Sequence, residues 1–487
     1  MFYRFFATGL LLAAFSLPVL PQAPLPEKTA ELLRAANISQ DALGAIAIRL
    51  ADGAVVLSHG AERSLQPAST LKLLTSIVGL ERLGPTYRGR TALAATAEIF
   101  GGRLHGDLFL RGGGSPDFDW RALQRLLQSL RFQGVTRIAG DLVLDRQLFQ
   151  PPRTDIGVPP FDETPEFRYN VIPDALLLNT NLLQLDLAAG AKSMRARMTP
   201  ALDRVSIDVA DMRFVERACD KWEDGWRLPT VVHRPNGRIH IVLHGEFPVH
   251  CSATTHINVL DRVVFTDRVF RAMWRDLGGQ FSASVRDGVT PRGARVLAEH
   301  TSRTLAEFVR DINKRSDNPV TRLLFLTLGT LPDAEATVSK TDTAARANQV
   351  VREWLAAHGL SAEGLVLENG SGLSRRERIR PALLAGVLAA AARSDWAPEF
   401  TATLPIVGID GAMARRLRES PAAIKGRFKT GSLRNVVSVA GYVPDATGQM
   451  LAVVAIINHE PWGEAGQRPG REVLDSLIDW AARSGAK

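Results

Sequence analysis

The chain contains few cysteines and lacks the short motifs typical of metal or nucleotide chemistry. Among its 487 residues, only Cys219 and Cys251 are cysteines. No C-x-x-C or H-E-x-x-H occurs, which argues against a metal site. The absence of G-x-x-x-x-G-K-[ST] and G-x-G-x-x-G argues against a phosphate-binding loop, and the absence of G-x-S-x-G argues against an α/β-hydrolase. The sequence therefore gives no indication of a metal or an organic cofactor.

Composition excludes further classes of protein. Apolar residues make up 45% of the chain and charged residues 23%. This is too apolar for a disordered chain, and the apolar residues are too evenly spread for a multispanning membrane protein. Lys and Arg outnumber Asp and Glu by 59 to 51, which gives a formal net charge of +8. That balance favours anionic surroundings, such as nucleic acid, a membrane surface or an acidic polymer, without choosing among them.

Residues 1–23 are predicted to be an export signal. Arg4 supplies the positive charge, an apolar stretch broken by Pro18 follows, and a Pro-rich segment comes next. An uncleaved membrane anchor is the alternative, but the apolar stretch is short for a spanning helix.

In an exported chain, two cysteines without a third partner usually pair, so we predict a disulfide between Cys219 and Cys251.

The spacing of apolar residues predicts an α/β (α+β) architecture. Residues 45–50 and 54–58 predict a hairpin, and residues 69–83 an apolar helix. Residues 436–443 and 450–457 predict a second hairpin, followed by an amphipathic helix. We therefore expect one domain built from both ends of the chain.

The segment between these two ends of the chain has a different sequence pattern. From about residue 91 to residue 257, short alternating runs punctuated by Gly, Pro and Asp predict β-rich material with few helices. Helical periodicity returns from residue 262. The predicted organisation is a discontinuous catalytic domain of residues 24–90 and 262–487, interrupted by a β-rich insertion of residues 91–261 that consists of one unit or two nested subdomains.

Three short motifs follow one another along the chain. They are Ser69-Thr70-Leu71-Lys72, Ser316-Asp317-Asn318 and Lys429-Thr430-Gly431, the last followed by Ser432. The same order is found in β-lactamases and penicillin-binding proteins. Each motif alone is weak evidence, because a polar helix face, a helix cap and a strand end would explain them equally well. Their joint occurrence in this order is far rarer, so we favour a catalytic site.

The first two motifs suit acyl transfer to a serine. Residues i and i+3 share a helix face, so the Lys72 amine can lie beside the Ser69 hydroxyl and take its proton. A lysine serves as a base only when its pKa falls, and burial together with the nearby charge of Lys429 would lower it. Ser316 and Asn318 are candidates for relaying a proton to the leaving amine and for holding the substrate amide.

The third motif suits substrate binding along a strand. Gly431 has no Cβ, so a substrate backbone can lie against it. Thr430 and Ser432 offer hydroxyls for a substrate carboxylate. The N–H groups of Ser432 and Ser69 are candidates for an oxyanion hole.

With these motifs, the sequence resembles the class C low-molecular-mass penicillin-binding proteins, the D-alanyl-D-alanine carboxypeptidase/endopeptidases. The long gap between Ser69 and Ser316 supports the resemblance, because β-lactamases place these motifs much closer and this family fills the gap with an inserted domain. Ser432 stands where Thr is common, and the Gly-rich stretch 112–114 looks altered. Further similar stretches extend the resemblance over nearly all of the chain after the signal: residues 110–116, 169–170, 368–375, 404–411, 429–433 and 440–443.

The resemblance implies a penicillin-recognising serine acyltransferase (β-lactamase/transpeptidase-like) fold in the periplasm. It implies attack by Ser69 on peptidoglycan stem peptides and cross-links, hydrolysis of the resulting acyl-enzyme, and inhibition by β-lactam antibiotics that acylate Ser69. Neither a cofactor nor a nucleic-acid partner is implied. The positive charge fits an anionic wall polymer and is compatible with association with a membrane surface.

Other activities stay open on the sequence alone. A β-lactamase would use the same acylation residues but deacylate rapidly, and a non-catalytic wall-binding scaffold could keep the fold. An amidase or esterase on this fold is a further alternative. The arginines at 375, 376, 378 and 380 are predicted to form a solvated face, with contact to an anionic glycan as the alternative.

Overall fold

The computed structural model describes residues 24–162, 164–332, 342–462 and 466–485, so the predicted export signal lies outside the described residues. The helices are α1 (Glu27–Ala35), α2 (Lys72–Leu83), α3 (Trp120–Phe132), α4 (Arg262–Asp276), α5 (Leu305–Arg315), α6 (Asn318–Leu328), α7 (Thr343–Ala357), α8 (Pro381–Arg393), α9 (Ala397–Ala402) and α10 (Arg468–Arg483). The first strands are β1 (Leu43–Arg49), β2 (Val55–His59), β3 (Arg90–Ala95), β4 (Ile99–Phe100), β5 (Arg103–Leu104), β6 (Leu108–Arg111), β7 (Arg137–Ile138) and β8 (Leu142–Asp145). The later strands are β9 (Leu183–Ala189), β10 (Met194–Thr199), β11 (Val205–Asp208), β12 (Met212–Val215), β13 (Trp226–His233), β14 (Ile239–Pro248), β15 (Ser252–Ile257), β16 (Gln280–Phe281), β17 (Val285–Gly288), β18 (Arg295–Thr301), β19 (Arg427–Leu433), β20 (Val436–Pro444) and β21 (Met450–Asn458).

The two ends of the chain share one five-stranded antiparallel sheet. Its strand order is β19-β20-β21-β1-β2, and β1 pairs directly with β21 in full register, from Leu43 opposite Ile457 to Arg49 opposite Leu451. Both predicted hairpins, the amphipathic C-terminal helix and the mixed α/β class are confirmed.

Helices cover both faces of this sheet, because its strands are apolar on both sides. In β21, Val454 and Ile456 face a core formed with α2, α5, α6, α7 and α8. The alternate residues Val453 and Ala455 face a second core formed with α1 and α10. The helix α2 is buried through its first nine residues, which matches the strongly apolar helix predicted there.

The middle of the chain forms further sheets around a separate core. A five-stranded sheet has the order β17-β8-β6-β3-β18, and smaller sheets contain β9, β10 and β15 or β11 to β14. In line with the expectation of few helices, the described residues between 91 and 257 contain one α-helix, at residues 120–132. These form the amphipathic helix α3, whose first turn is capped by the Asp119 carboxylate accepting the N–H of Ala122 at 2.8 Å.

Strand pairing also places residues 262–301 with the middle of the chain. The strands β17 and β18 join β3, β6 and β8 in one sheet, and Phe265, Phe270 and Trp274 of α4 belong to the core around α3. The sequence predicts that the insertion ends at residue 261, because helical periodicity starts there. We propose instead that the catalytic domain resumes near residue 302, just before α5.

Cys219 and Cys251 form the predicted disulfide, with 5.5 Å between their Cα atoms. It links the segment before β13 to the start of β15, within the middle part of the chain. Across the part of the chain that the structure describes, no helix combines the length and the apolar character needed to cross a membrane.

Candidate active site

Ser69 lies in a tight turn directly before α2. Residues Ala68–Leu71 form a 3-10 helix and α2 begins at Lys72, so Ser69 and Lys72 are stacked one above the other, as 3-10 geometry requires of residues i and i+3. The Pro67 carbonyl oxygen accepts the hydroxyls of Thr70 at 2.7 Å and of Ser438 at 2.6 Å. These bonds tie the turn to β20 in the sheet.

Lys72 is buried with three oxygen atoms around its amine. Its side chain is 0% exposed, and Nζ lies 2.9 Å from Ser69 Oγ and 2.6 Å from Asn318 Oδ1. Nζ also donates to the Ser371 carbonyl oxygen. An amide oxygen and a backbone carbonyl can only accept hydrogen bonds. A neutral Lys72 amine that gives its two hydrogens to Asn318 and Ser371 therefore turns its lone pair toward the Ser69 hydroxyl.

The pKa of Lys72 is lowered well below its ordinary value, chiefly because burial disfavours the charged form. The charge of Lys429 is the second cause, and Arg322 adds to it. Glu377 and Asp317 oppose the effect because their negative charges favour the ammonium form. Burial and the charge of Lys429 are the causes that the sequence predicts.

Ser316 and Lys429 form a second hydroxyl–amine pair. Lys429 Nζ donates to Ser316 Oγ at 2.9 Å and to the Thr430 carbonyl oxygen at 2.6 Å. Burial lowers the pKa of Lys429 to about 7. Ser316 has a left-handed backbone, with φ of 59°, where it ends α5. The helix-cap interpretation of the second motif therefore also holds, since Asp317 caps α6.

Asn318 is held in one orientation by its neighbours. Its Nδ2 donates to the Tyr169 carbonyl oxygen at 3.2 Å, which leaves Oδ1 to face Lys72. The Asp317 carboxylate beside it accepts from Arg168 at 2.7 Å. The loop that carries Arg168 and Tyr169 lies within the predicted insertion, so the inserted region contributes to the wall of the site.

Gly431 serves the site differently from what the sequence suggests. A Cβ at this position would lie 2.3 Å from Ser438 Oγ, 2.8 Å from Ser69 N and 2.9 Å from Pro67 O. The missing side chain therefore lets β19 pack against the turn that carries Ser69. The space at Gly431 is filled by the protein itself rather than by a substrate backbone.

A cavity of about 760 Å³ lies above these groups. Ser69, Ser316, Asn318 and Ser432 line it, while Lys72 and Lys429 are buried beneath. Thr430 is half-buried in the same strand, between Lys429 and Gly431. The other lining residues are Phe161, Asp162, Thr164, Tyr169, Leu373, Arg375, Leu433 and Arg434.

Several of these residues were missed by the sequence analysis. Arg375, expected on a solvated face, lines the cavity with its guanidinium 4.8 Å from the centre of the Phe161 ring. Ser371 contributes only a backbone carbonyl, which residue type does not reveal. The similarity of residues 368–375 to the resembled family was the available signal. Within the described ranges, no group of three or more His, Cys, Asp or Glu is placed to hold a metal ion.

Comparison with protein families gives one match over most of the chain. The model of the D-Ala-D-Ala carboxypeptidase 3 (S13) family matches residues 25–483. The D-alanyl-D-alanine carboxypeptidase DacB of Haemophilus influenzae is 27% identical, over 96% of this chain and 94% of that protein. The D-alanyl-D-alanine carboxypeptidase of Actinomadura sp. (strain R39) is also 27% identical, over 88% of this chain and 78% of that protein.

A solved structure has the same fold. The crystal structure of penicillin binding protein 4 (dacB) from Haemophilus influenzae superposes with a TM-score of 0.77 at 23% sequence identity. The match covers 93% of this chain and 99% of that one. The predicted penicillin-binding-protein fold with mixed α/β content is therefore confirmed.

Proposed function

The chain belongs to the D-Ala-D-Ala carboxypeptidase 3 (S13) family and is a serine-type peptidase; from that premise we propose that it hydrolyses the D-Ala-D-Ala bond of peptidoglycan stem peptides through an acyl-enzyme on Ser69. The observation that carries the proposal is the buried amine of Lys72, 2.9 Å from Ser69 Oγ. Because its other two hydrogen-bond partners can only accept, the neutral amine is set to receive the serine proton.

Acylation begins when Lys72 Nζ takes the proton of the Ser69 hydroxyl. Ser69 Oγ then forms a bond to the carbonyl carbon of the penultimate D-alanine, and the carbonyl oxygen becomes an oxyanion. The N–H groups of Ser69 and Ser432 are assigned to this oxyanion. The close packing of Gly431 on the Ser69 turn supports this assignment, because it brings β19 beside Ser69.

The tetrahedral intermediate collapses when the C–N bond to the terminal D-alanine breaks. The leaving nitrogen takes a proton from the Ser316 hydroxyl, and the Lys429 ammonium replaces that proton across their 2.9 Å contact. The hydroxyls of Thr430 and Ser432 and the charge of Lys429 hold the substrate carboxylate. A water molecule then attacks the ester carbonyl carbon and passes a proton through Ser316 to the neutral Lys429 amine. The bond from that carbon to Ser69 Oγ breaks, Lys72 returns its proton to Ser69 Oγ, and the product leaves as a carboxylic acid that ionises in solvent.

The same steps extend to two further reactions. With a second stem peptide in place of the terminal D-alanine as the leaving group, the same steps would cleave cross-links and make the enzyme an endopeptidase. A β-lactam would acylate Ser69 through its ring carbonyl, and its leaving nitrogen would stay tethered to the adduct, so that deacylation is slow.

The disulfide between Cys219 and Cys251 supports the proposal that the protein works in an oxidising compartment such as the periplasm.

We expect the rate of acylation to fall as pH rises above 7. Lys429 must be protonated to hold a carboxylate and to supply the leaving-group proton, and its pKa is about 7. Above pH 8, kcat/KM for a D-Ala-D-Ala peptide should therefore decrease about tenfold per pH unit. The measurement is a pH profile of D-alanine release.

An arginine in place of Lys429 identifies the group responsible. The arginine guanidinium stays charged between pH 7 and pH 9. In Lys429→Arg, kcat/KM should therefore not decrease above pH 8, even if the variant is less active than the wild type at every pH. Lys425→Arg, at an exposed lysine just before β19, should keep the decrease. A wild-type profile that stays flat from pH 7 to pH 9 would contradict the role given to Lys429.

The experiment that tests the proposed function offers the folded protein two substrates. Purified stem pentapeptide should lose one D-alanine, and cross-linked muropeptide dimers should be cleaved to monomers. Intact-mass spectrometry after incubation with penicillin should show a long-lived adduct of one penicilloyl group. Rapid penicillin consumption without an adduct would indicate a β-lactamase, and no reaction with any of the three would contradict the proposal.

A further inference from the structure

A buried carboxylate organises the loop that faces Lys72. Glu377 is 0% exposed, and its two oxygens accept four backbone N–H groups. Oε1 accepts from Asn369 and Gly370 at 2.8 Å and from Glu368 at 3.1 Å, while Oε2 accepts from Gly372 at 2.8 Å. The carboxylate therefore occupies the centre of the loop of residues 368–372 and satisfies these donors together.

This loop packs directly on the Ser69 turn and on α2. A Cβ at Gly372 would lie 1.8 Å from Ala68 O and 2.9 Å from Ser69 N. The Gly370 carbonyl accepts the hydroxyl of Thr75 of α2 at 2.6 Å. Between these contacts, the Ser371 carbonyl oxygen accepts from Lys72 Nζ. A shift of the loop would thus move one of the two oxygens that orient the amine.

Four charged residues influence Lys72. Lys429 of β19 and Arg322 of α6 disfavour its ammonium form, whereas Glu377 and Asp317 favour it. Arg322 also donates to the Leu373 carbonyl oxygen at 3.2 Å, which fixes the far end of the loop. Burial raises the pKa of Glu377 overall, and the hydrogen bonds from its four N–H donors oppose this rise only in part.

We propose that Glu377 is a positioning residue for Lys72: its carboxylate fixes the loop of residues 368–372 so that the Ser371 carbonyl orients the Lys72 amine. The reaction it serves is the acylation of Ser69 under the proposed function. Glu377 acts through Ser371 and through its field, without touching the substrate.

The test compares Glu377→Gln with the wild type. An amide has one accepting oxygen and an NH₂ group that cannot accept, so at least one N–H of the loop loses its partner. We expect the second-order rate constant for penicillin acylation to fall at least tenfold. The acidic limb of the pH profile of this rate constant should also move to lower pH, because loss of the negative charge of Glu377 lowers the pKa of Lys72. The matched control is Glu307→Gln in the exposed capping box of α5, which should change neither quantity.

Two outcomes in folded Glu377→Gln would overturn the proposal. The first is an unchanged acylation rate. The second is an acidic limb of the pH profile that does not move, which is the result expected if Glu377 had only a structural role. If this variant does not fold, Glu377→Asp replaces it. Aspartate keeps the charge but has a shorter reach, so the rate should fall with the limb unmoved, and a wild-type rate would overturn the proposal. A direct NMR titration of Lys72 in the wild type and in Glu377→Gln measures the same pKa shift without any reaction. Failure of the Glu377 proposal can therefore be distinguished from failure of the proposed function.

Discussion

Alanine in place of Ser69 should abolish the penicilloyl adduct and lower D-alanine release by at least about 10⁴-fold, because removal of a nucleophile eliminates the covalent step entirely. The fold should persist, since Ser69 is half-buried and the hydrogen bonds that anchor its turn come from Thr70 and Ser438. Intact-mass spectrometry after penicillin treatment and an assay of released D-alanine provide the two measurements.

The matched control is Ser129→Ala, which removes a half-buried hydroxyl of α3 that donates to the Arg125 carbonyl oxygen of the same helix. It should acylate and turn over as the wild type does. A penicilloyl adduct of normal abundance in Ser69→Ala would show that another residue is the nucleophile, and the mechanism above would then be wrong.

Methionine in place of Lys72 should lower the rate of acylation by about 10²- to 10⁴-fold, the range typical of losing a general base. The change fills nearly the same volume, but leaves the Ser69 proton without an acceptor. The Asn318 and Ser371 oxygens would lose a donor, which costs stability, while the penalty for burying the amine disappears. We therefore expect Tm to stay close to that of the wild type.

Stopped-flow acylation by a chromogenic β-lactam measures this effect, and differential scanning calorimetry checks the fold. Lys192→Met, at an exposed lysine between β9 and β10, is the control and should acylate normally. Full acylation of Lys72→Met would assign the base to another group, and Lys429 would be the next candidate because its pKa is about 7.

The side chains that we propose to be catalytic could be selected from the sequence because local spacing defines them. Ser69 and Lys72 are one helical turn apart, and the alternation in β19 buries Lys429 and Gly431 on the same face. The hairpins of the central sheet were predictable for the same reason, since each is closed by a short turn between apolar runs. Roles that depend on residue type and short separations can thus be recognised in the amino-acid sequence itself.

Other parts of the site arise only from tertiary packing. Glu377 stands in an arginine-rich stretch that suggests solvent, yet four loop N–H groups surround its carboxylate. Gly431 was recognised as a position of close approach, but its partner proved to be the Ser69 turn. The pairing of β17 and β18 with β8 and β3 is likewise non-local and leaves no sign in the sequence. The end of the insertion was therefore predicted at residue 261, where helical periodicity begins, and not near residue 302.

The central sheet has a consequence for when activity can arise during synthesis. The turn that carries Ser69 is anchored by the Ser438 hydroxyl, which bonds to Pro67 across 371 positions of the chain, and β1 is completed by β21 at the other end. A chain that has emerged only as far as Ser316 contains Ser69 and Lys72 but still lacks the strand β19 that supplies Lys429. Under the proposed function, we therefore expect acylation by penicillin only after β19 and the strands that follow it have joined β1 in the sheet.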